Sequence, residues 1–136
     1  MNNEYIKLAI KEAEKAYKKG EVPVGAIIVK NGKIISKAHN TIEKEQNPIK
    51  HAEIKAIEKA TKKLKNWRLN DCEMYVTLEP CEMCRGAIFL SRIKKTYYIL
   101  SRKDIKNNND IELEKLNINE KEYLNMLQEF FKEKRK

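Results

Sequence analysis

Four side chains that could bind and use a metal ion lie in two short segments, His51-Ala52-Glu53 and Pro80-Cys81-Glu82-Met83-Cys84. Two cysteines three positions apart occupy one helical turn and can reach the same ion, and His51 would supply a third ligand. Three protein ligands plus a water molecule are typical of catalytic zinc, whereas structural zinc usually takes four protein ligands. Glu53 would lie beside the ion without binding it and could transfer a proton of the bound water.

Each segment on its own has other interpretations. A single Cys-x-x-Cys segment also occurs in thioredoxin-like redox pairs and in one half of a structural zinc site. His51 and Glu53 alone could be ordinary residues of a helix surface. Because the chain has only three cysteines, a zinc ribbon with four cysteine ligands is excluded, and an odd count argues against a disulfide scaffold. The two segments together favour one zinc ion per chain.

The elements that must position these segments alternate between helices and strands. Apolar residues at helical spacing predict helices over residues 3–18, 50–64, 81–91 and 119–134. Runs rich in β-branched residues predict strands over 24–29, 33–36, 74–78 and 96–100, and we expect loops at 39–48 and 102–110. Asn31-Gly32 indicates a tight hairpin between the first two strands, because both turn residues need positive φ. This order predicts an α/β domain with three layers, α/β/α, around a mixed sheet.

Three residues outside the two segments are interpreted from their type and position. Cys72, at the start of a strand, is expected to be a small buried residue and not a ligand. Trp67 is expected in the core. His39 falls in a predicted loop and is expected to be an ordinary surface residue.

Length and patterning limit the classes of protein to consider. A chain of 136 residues fits a single domain over 1–136. Its longest nearly apolar run, Val22 to Val29, is far shorter than the roughly 20 residues that span a bilayer, so we expect no membrane association. The N-terminus lacks the basic and apolar regions of a secretory signal, which predicts a cytoplasmic protein.

The charge of the chain admits two explanations. A formal net charge of +9 favours a polyanionic partner, most often nucleic acid in a cytoplasmic protein. However, most of the 29 basic residues are lysines, and Lys, Ile and Asn are all favoured by AT-rich codons. Codon bias therefore accounts for the charge equally well.

The combination of the two segments resembles the zinc-dependent cytidine/deoxycytidylate deaminase superfamily. Further stretches are similar to the bacterial tRNA-specific adenosine deaminases: Glu21-Val22-Pro23-Val24-Gly25-Ala26, Asn66-Trp67-Arg68-Leu69 and Tyr75-Val76-Thr77-Leu78-Glu79-Pro80-Cys81. Leu127-x-x-Phe130-Phe131, followed by basic residues, is similar to their C-terminal helix. The resemblance covers about residues 4–98 and 120–135.

The resemblance implies a cytidine-deaminase-like fold with a mixed sheet of about five strands. It also implies a homodimer that binds RNA across both subunits. By the resemblance, His51, Cys81 and Cys84 bind one zinc ion, and Glu53 is the proton shuttle. The implied substrate contacts are Val24, Asn40, the Ala52 backbone, which would hydrogen-bond the target base, and Phe131, which would border the anticodon loop of tRNA.

The implied reaction is hydrolytic deamination of adenosine to inosine at the wobble position of a tRNA. An alternative is deamination of a free nucleobase, nucleoside or nucleotide of the guanine or cytidine type, because guanine deaminases share the Pro-Cys-x-Met-Cys pattern. A third hypothesis is an inactive RNA-binding subunit of the same fold. Such subunits tend to lose the shuttle carboxylate, and Glu53 is present here.

The chain departs from the tRNA branch after the fourth predicted strand. That branch usually reads Phe-Gly-Ala-x-Asp and then a glycine-rich stretch, whereas this chain reads Tyr98-Ile99-Leu100-Ser101-Arg102 and has no glycine from Lys103 to Asp110. Arg85 also replaces a small residue after the second cysteine. In the family this region holds the nucleotides around the target base, so the departures concern the substrate and leave the chemistry unchanged.

Overall fold

A computed structural model of the chain describes residues 2–103 and 111–134. Within these residues the chain forms five helices and five strands. In chain order they are α1 (Asn2–Lys18), β1 (Gly25–Lys30), β2 (Lys33–His39), α2 (Ile42–Glu45), α3 (Ala52–Leu64), β3 (Cys72–Leu78), α4 (Glu82–Leu90), β4 (Lys95–Leu100), β5 (Leu113–Lys115) and α5 (Glu120–Lys134).

The five strands form one mixed sheet in the order β2-β1-β3-β4-β5. β1 pairs antiparallel with both β2 and β3, and β3, β4 and β5 are parallel to one another. Asn31 and Gly32 have φ of 51° and 78°, as the hairpin turn between β1 and β2 requires. Because parallel strands need a crossover connection, α4 carries the chain from the end of β3 back to the start of β4.

Helices cover both faces of this sheet. On one face, Ala52, Ala56 and Ala60 of α3 pack on residues such as Ala26 and Met74. On the other face, α1 and α5 pack on alternate residues of the same strands, among them Ile27, Val29, Tyr75, Tyr97 and Ile99. The predicted three-layer α/β/α architecture with a mixed, five-stranded sheet is therefore confirmed.

Gly25 allows α1 to approach the start of β1 very closely. A Cβ atom built on Gly25 would lie 2.0 Å from the Ala9 carbonyl oxygen and 2.7 Å from the Ala13 nitrogen. Real side chains do not approach backbone atoms so closely. Glycine at this position therefore sets the distance between α1 and the sheet.

Several local predictions need correction. β2 continues to His39, and α2 forms one helical turn within the predicted loop 39–48, since the Glu21 carboxylate accepts the backbone N–H groups of Glu43 and Lys44 at 3.0 and 2.9 Å. β5 was not predicted by local pattern, because a three-residue strand is too short to show a period. Residues 104–110 of the predicted loop 102–110 lie outside the described residues.

The predicted environments of Trp67 and His39 also need correction, whereas that of Cys72 does not. Trp67 is 52% exposed and not in the core; its ring lies 4.4 Å from the Arg68 guanidinium carbon. His39 is not an ordinary surface residue, because its Nδ1 donates to the buried Glu12 carboxylate at 2.9 Å. The third prediction, that Cys72 is a buried residue, is confirmed.

Within residues 2–103 and 111–134, no helix combines the length and the apolar character that crossing a bilayer requires.

Candidate metal centre and catalytic pocket

The starts of two neighbouring helices bring three metal-binding side chains together. His51 is the N-cap residue of α3 and Cys81 that of α4, while Cys84 lies in the first turn of α4. The His51 Nδ1 atom lies 3.7 Å from the Cys81 sulfur and 3.6 Å from the Cys84 sulfur. All three ligand atoms lie within 4.8 Å of one another, so the group could hold a metal ion.

These separations fit a tetrahedral ion. Zinc bonds of about 2.3 Å to sulfur and about 2.0–2.1 Å to nitrogen, at the tetrahedral angle, place nitrogen and sulfur about 3.6 Å apart. Cys84 is buried, whereas His51 and Cys81 are half-buried and line a pocket. The donor set and its spacing therefore fit a metal ion held beside the pocket.

The two cysteine thiols have opposite tendencies to ionise. A hydrogen bond from the Cys84 thiol, together with one from His51, lowers the pKa of Cys81 to about 3. The same hydrogen bond and burial raise the pKa of Cys84. The interaction with Cys81 in turn raises the pKa of His51. Cys81 is therefore the more readily ionised of the two thiols, and the thiolate is the form that binds a metal ion.

Glu53 lies two residues after His51 in the first turn of α3 and is 4% exposed. Burial raises the pKa of its carboxyl group to about 7, because the charged form loses its hydration. A carboxyl group with a pKa near neutrality can both accept and donate a proton. Its burial beside the cluster of His51, Cys81 and Cys84 suits it to proton transfer at that site.

The pocket beside this cluster has a volume of about 150 Å³. Its walls are formed by four aliphatic side chains and by polar residues that include the metal-binding cluster. The lining residues are Val22, Val24, Asn40, Ile42, His51, Glu53, Leu78, Glu79, Cys81 and Arg102. The combination of apolar walls with a few convergent polar groups is typical of a small-ligand site.

The predicted substrate contacts fall into two groups. Val24 and Asn40 line the pocket, and Asn40 Oδ1 accepts the Ala52 backbone N–H at 2.7 Å. Because that N–H is already paired, the predicted bond between the Ala52 backbone and a base stays a prediction. Phe131 is 42% exposed on α5 and does not line the pocket; its ring contacts Phe130 at a centroid distance of 5.4 Å.

Five pocket residues were not singled out in the sequence as substrate contacts: Val22, Ile42, Leu78, Glu79 and Arg102. Glu79 follows β3 directly and precedes the Pro80-Cys81 step, so its proximity to Cys81 was the signal available. Ile42 belongs to the helix α2 that local pattern did not predict. A larger cleft of about 490 Å³ shares Val22 and Ile42 with the pocket and extends to Phe130 and Lys134 on α5.

Comparison with known families identifies the group of proteins to which this geometry belongs. Residues 1–135 match the family model of the MafB19-like deaminases. The chain belongs to the MafB19-like deaminase family. Its sheet order, its helical layers and the His-Cys-Cys cluster at two helix starts agree with the cytidine-deaminase-like superfamily that the sequence indicated.

Among similar proteins, the tRNA-specific adenosine deaminase of Aquifex aeolicus is 56% identical over 99 residues, which are 72% of this chain. The match covers 66% of that relative's length, so about a third of the relative has no aligned counterpart in the chain.

Two solved structures are similar to this MafB19-like deaminase. One comes from a study of A-to-I editing by tRNA:A34 deaminases at the wobble position; it has a TM-score of 0.86 and 30% identity, over 92% of this chain and 99% of its own. The other, guanine deaminase from Bacillus subtilis, has a TM-score of 0.71 and 38% identity, over 75% of this chain and 66% of its own.

Proposed function

We propose that this MafB19-like deaminase is a zinc-dependent hydrolase that converts adenosine to inosine in tRNA, at the wobble position of the anticodon loop. The observation that carries the proposal is the cluster of His51, Cys81 and Cys84, open to a pocket in which the buried Glu53 lies. The identity of 56% to a tRNA-specific adenosine deaminase supports the tRNA substrate.

Zinc is the proposed metal, held by His51 Nδ1 and the two cysteine sulfurs. Two thiolates and one imidazole are soft and borderline ligands that suit zinc, and the nitrogen–sulfur separations of 3.6 and 3.7 Å fit its tetrahedral geometry. When bound, a zinc ion would lower the pKa of a coordinated water to about 7.

Glu53 is the proposed proton shuttle. Its carboxylate accepts a proton from the attacking water and delivers it to N1 of the adenine ring as the water oxygen adds to C6. It then accepts the proton of the hydroxyl group formed on C6 and passes it to the amino nitrogen, which leaves as ammonia, so that adenosine and water give inosine and ammonia. Burial supports both transfers, because it holds the pKa of Glu53 at about 7.

The remaining pocket residues would bind and orient the base. The Val22, Val24, Ile42 and Leu78 side chains would contact its faces, and the Asn40 amide lies where it could hydrogen-bond the ring edge. The pocket volume of about 150 Å³ leaves room for one base and not for the neighbouring nucleotides. The target adenosine would therefore have to leave the base stack, which costs least in a loop.

Guanine deamination is the second candidate, because the guanine deaminase from Bacillus subtilis is 38% identical over 75% of this chain. The identity of 56% over a similar length favours the tRNA reaction. A net charge of +9 also fits a polyanionic substrate better than a neutral base.

A homodimer in the cytoplasm, where tRNA is found, completes the proposal. Helix α4, which carries Cys84, exposes three large apolar side chains, Met83, Phe89 and Leu90, at 38, 47 and 65%. Large apolar side chains left exposed on one helix favour a protein interface. Sedimentation equilibrium of the zinc-loaded chain should therefore give twice the mass of one chain; a monomer at micromolar concentration would refute the dimer.

The proposal is tested by product analysis on a panel of substrates. The zinc-loaded chain is incubated with total bacterial tRNA, and in separate reactions with guanine, adenosine and cytidine. Nucleosides from digested tRNA are quantified by mass spectrometry, and ammonia release is followed in the other reactions. We expect inosine in tRNA and little turnover of the free compounds; rapid release of ammonia from guanine, without inosine in tRNA, would establish the second candidate.

A further inference from the structure

Glu79, in the segment between β3 and α4, uses both of its carboxylate oxygens to join parts of the chain around the pocket. Its Oε2 atom forms an ion pair with the Arg85 guanidinium of α4. Its Oε1 atom accepts the backbone N–H of Arg102, which follows β4, at 3.0 Å. The Glu79 backbone N–H also donates to the Leu100 carbonyl at 2.8 Å, so the two chain segments are fixed side by side.

Arg85 fixes the position of this carboxylate. Its side chain is 0% exposed, and its Nε donates to the Pro80 carbonyl at 3.1 Å in addition to the ion pair with Glu79. A charged group with no access to solvent is tolerated only where it is paired and hydrogen-bonded. Glu79 therefore cannot swing away without leaving the Arg85 charge buried and unpaired.

This arrangement places Arg102 in the wall of the pocket, along with His51 and Glu53. Among the described residues that line the pocket, it is the one lysine or arginine. The Glu79 carboxylate forms an ion pair with the Arg85 guanidinium and also accepts the backbone N–H of Arg102.

The chemistry of an arginine at this place limits what it can recognise. A guanidinium group has only donors and forms its strongest hydrogen bonds, often two in parallel, with carboxylate and phosphate oxygens. In a nucleic acid substrate the anionic acceptors are the phosphates. Because a pocket of about 150 Å³ has room for one base, the phosphates on either side of the target nucleotide would remain at its mouth.

We infer that Arg102 is a specificity-determining residue that binds a phosphodiester group flanking the target nucleoside, and that Arg85 is a positioning residue that acts on it through Glu79. The inference rests on the proposed function, since it assumes a nucleotide in an RNA chain as substrate. It explains how the site would favour a polynucleotide over a free base or nucleoside, neither of which has a phosphate.

The first test compares Arg102→Ala with the control Arg68→Ala, which removes an equal charge from an exposed residue outside the pocket. The substrate is an RNA anticodon stem-loop with adenosine at the wobble position. We expect Arg102→Ala to raise KM about tenfold and to leave kcat within about twofold, as for the loss of one charged hydrogen-bonded contact. Arg68→Ala should change neither constant by more than about twofold.

The second test removes the phosphate charge in place of the arginine. Stem-loops are made with one uncharged methylphosphonate linkage, on the 5′ or on the 3′ side of the target adenosine. One of these linkages should raise KM for the wild-type chain and for Arg68→Ala about as much as the Arg102→Ala substitution does. It should have little further effect on Arg102→Ala, because the contact is already absent.

The positioning role of Arg85 is tested with Arg85→Met and with the double variant Arg85→Met and Glu79→Gln. The double variant removes both charges and so leaves no unpaired charge in the protein, which keeps the test usable if the single variant fails to fold. We expect KM for the stem-loop to rise at least threefold with zinc content unchanged, and no further rise when Arg102→Ala is added.

Two outcomes would overturn the inference. In the first, Arg102→Ala retains the wild-type KM or responds to the methylphosphonate linkages as the wild type does. In the second, the Arg85 variants and Arg102→Ala raise KM independently, which would remove the positioning role. Inosine formation in the stem-loop by the wild-type chain is the control for all three tests, and its absence would contradict the proposed function itself.

Discussion

At the scale of single residues, a buried carboxylate outside the cluster of His51, Cys81 and Cys84 has a structural role. Glu12 of α1 is 5% exposed, and it accepts hydrogen bonds from His39 at 2.9 Å and from Lys15 at 2.8 Å. The hydrogen bond from His39 is the main reason that the pKa of Glu12 falls from 4.5 to about 2. His39 ends β2 and directly precedes Asn40 in the pocket, so this pair fixes α1 against the chain that enters the site.

The Glu12 carboxylate should make the stability of the fold depend on pH. A carboxyl group with a folded-state pKa below its unfolded value stabilises the protein above the unfolded pKa, and this contribution is lost as the pH falls from 4.5 toward 2. We expect the free energy of unfolding in urea to decrease by about 2 kcal/mol more in the wild type than in Glu12→Gln between pH 6 and pH 3. Glu14→Gln, an exposed substitution on the same helix, should behave as the wild type does; equal slopes for all three proteins would contradict the role of Glu12.

At the scale of secondary-structure elements, two glycines have opposite expected effects on stability. Gly25→Ala would place a Cβ 2.0 Å from the Ala9 carbonyl oxygen, so α1 would have to move away from β1. Gly86 lies in α4, and a Cβ atom built there would meet no neighbouring atom within 4 Å. Gly86→Ala therefore adds a methyl group without a clash and favours the helix.

Thermal and urea unfolding should separate these two substitutions. We expect Gly25→Ala to lower the free energy of unfolding by about 2 kcal/mol or more, the range for overpacking, and Gly86→Ala to raise it by about 0.5 kcal/mol. A Gly25→Ala protein as stable as the wild type would show that the close approach of α1 to β1 is not required.

Local pattern predicted the elements whose stability comes from one long apolar face. The helices α1, α3, α4 and α5 and the strands β1 to β4 repeat their apolar residues over enough positions to show a period. Helix α2 has four residues and is stabilised by Glu21, which lies about twenty positions earlier in the chain, so its own sequence carries no such signal.

The residues of the candidate site were likewise predicted only where the local sequence carries a signal. The types and spacing of His51, Glu53, Cys81 and Cys84 indicated the metal-binding cluster because both segments open helices. The contact of Glu79 with Arg102 depends on the parallel pairing of β3 with β4, which brings the residues after both strands together. A sequence alone does not reveal such a pairing, so the place of Arg102 in the pocket could not be predicted.

At the scale of the whole molecule, a net charge of +9 and the proposed RNA substrate predict how binding responds to salt. A substrate held by several contacts between basic side chains and phosphates releases counterions, so its affinity falls steeply as salt increases. We expect the Kd for a deaminase-resistant anticodon stem-loop to rise at least tenfold between about 50 and 200 mM salt. The Kd for a nucleoside inhibitor should change little over the same range. Similar salt dependence for both ligands would contradict an RNA-binding surface.

The most direct test of the account is a comparison of Glu53→Gln with the wild-type chain, both loaded with zinc. Glu53 is proposed to transfer protons and not to bind the metal, so the variant should hold one zinc ion per chain, bind the anticodon stem-loop with wild-type affinity and form at least about a hundredfold less inosine. Loss of zinc from Glu53→Gln would show that Glu53 is a ligand, and inosine formation near the wild-type rate would show that another group transfers the proton. Either result would contradict the central claim.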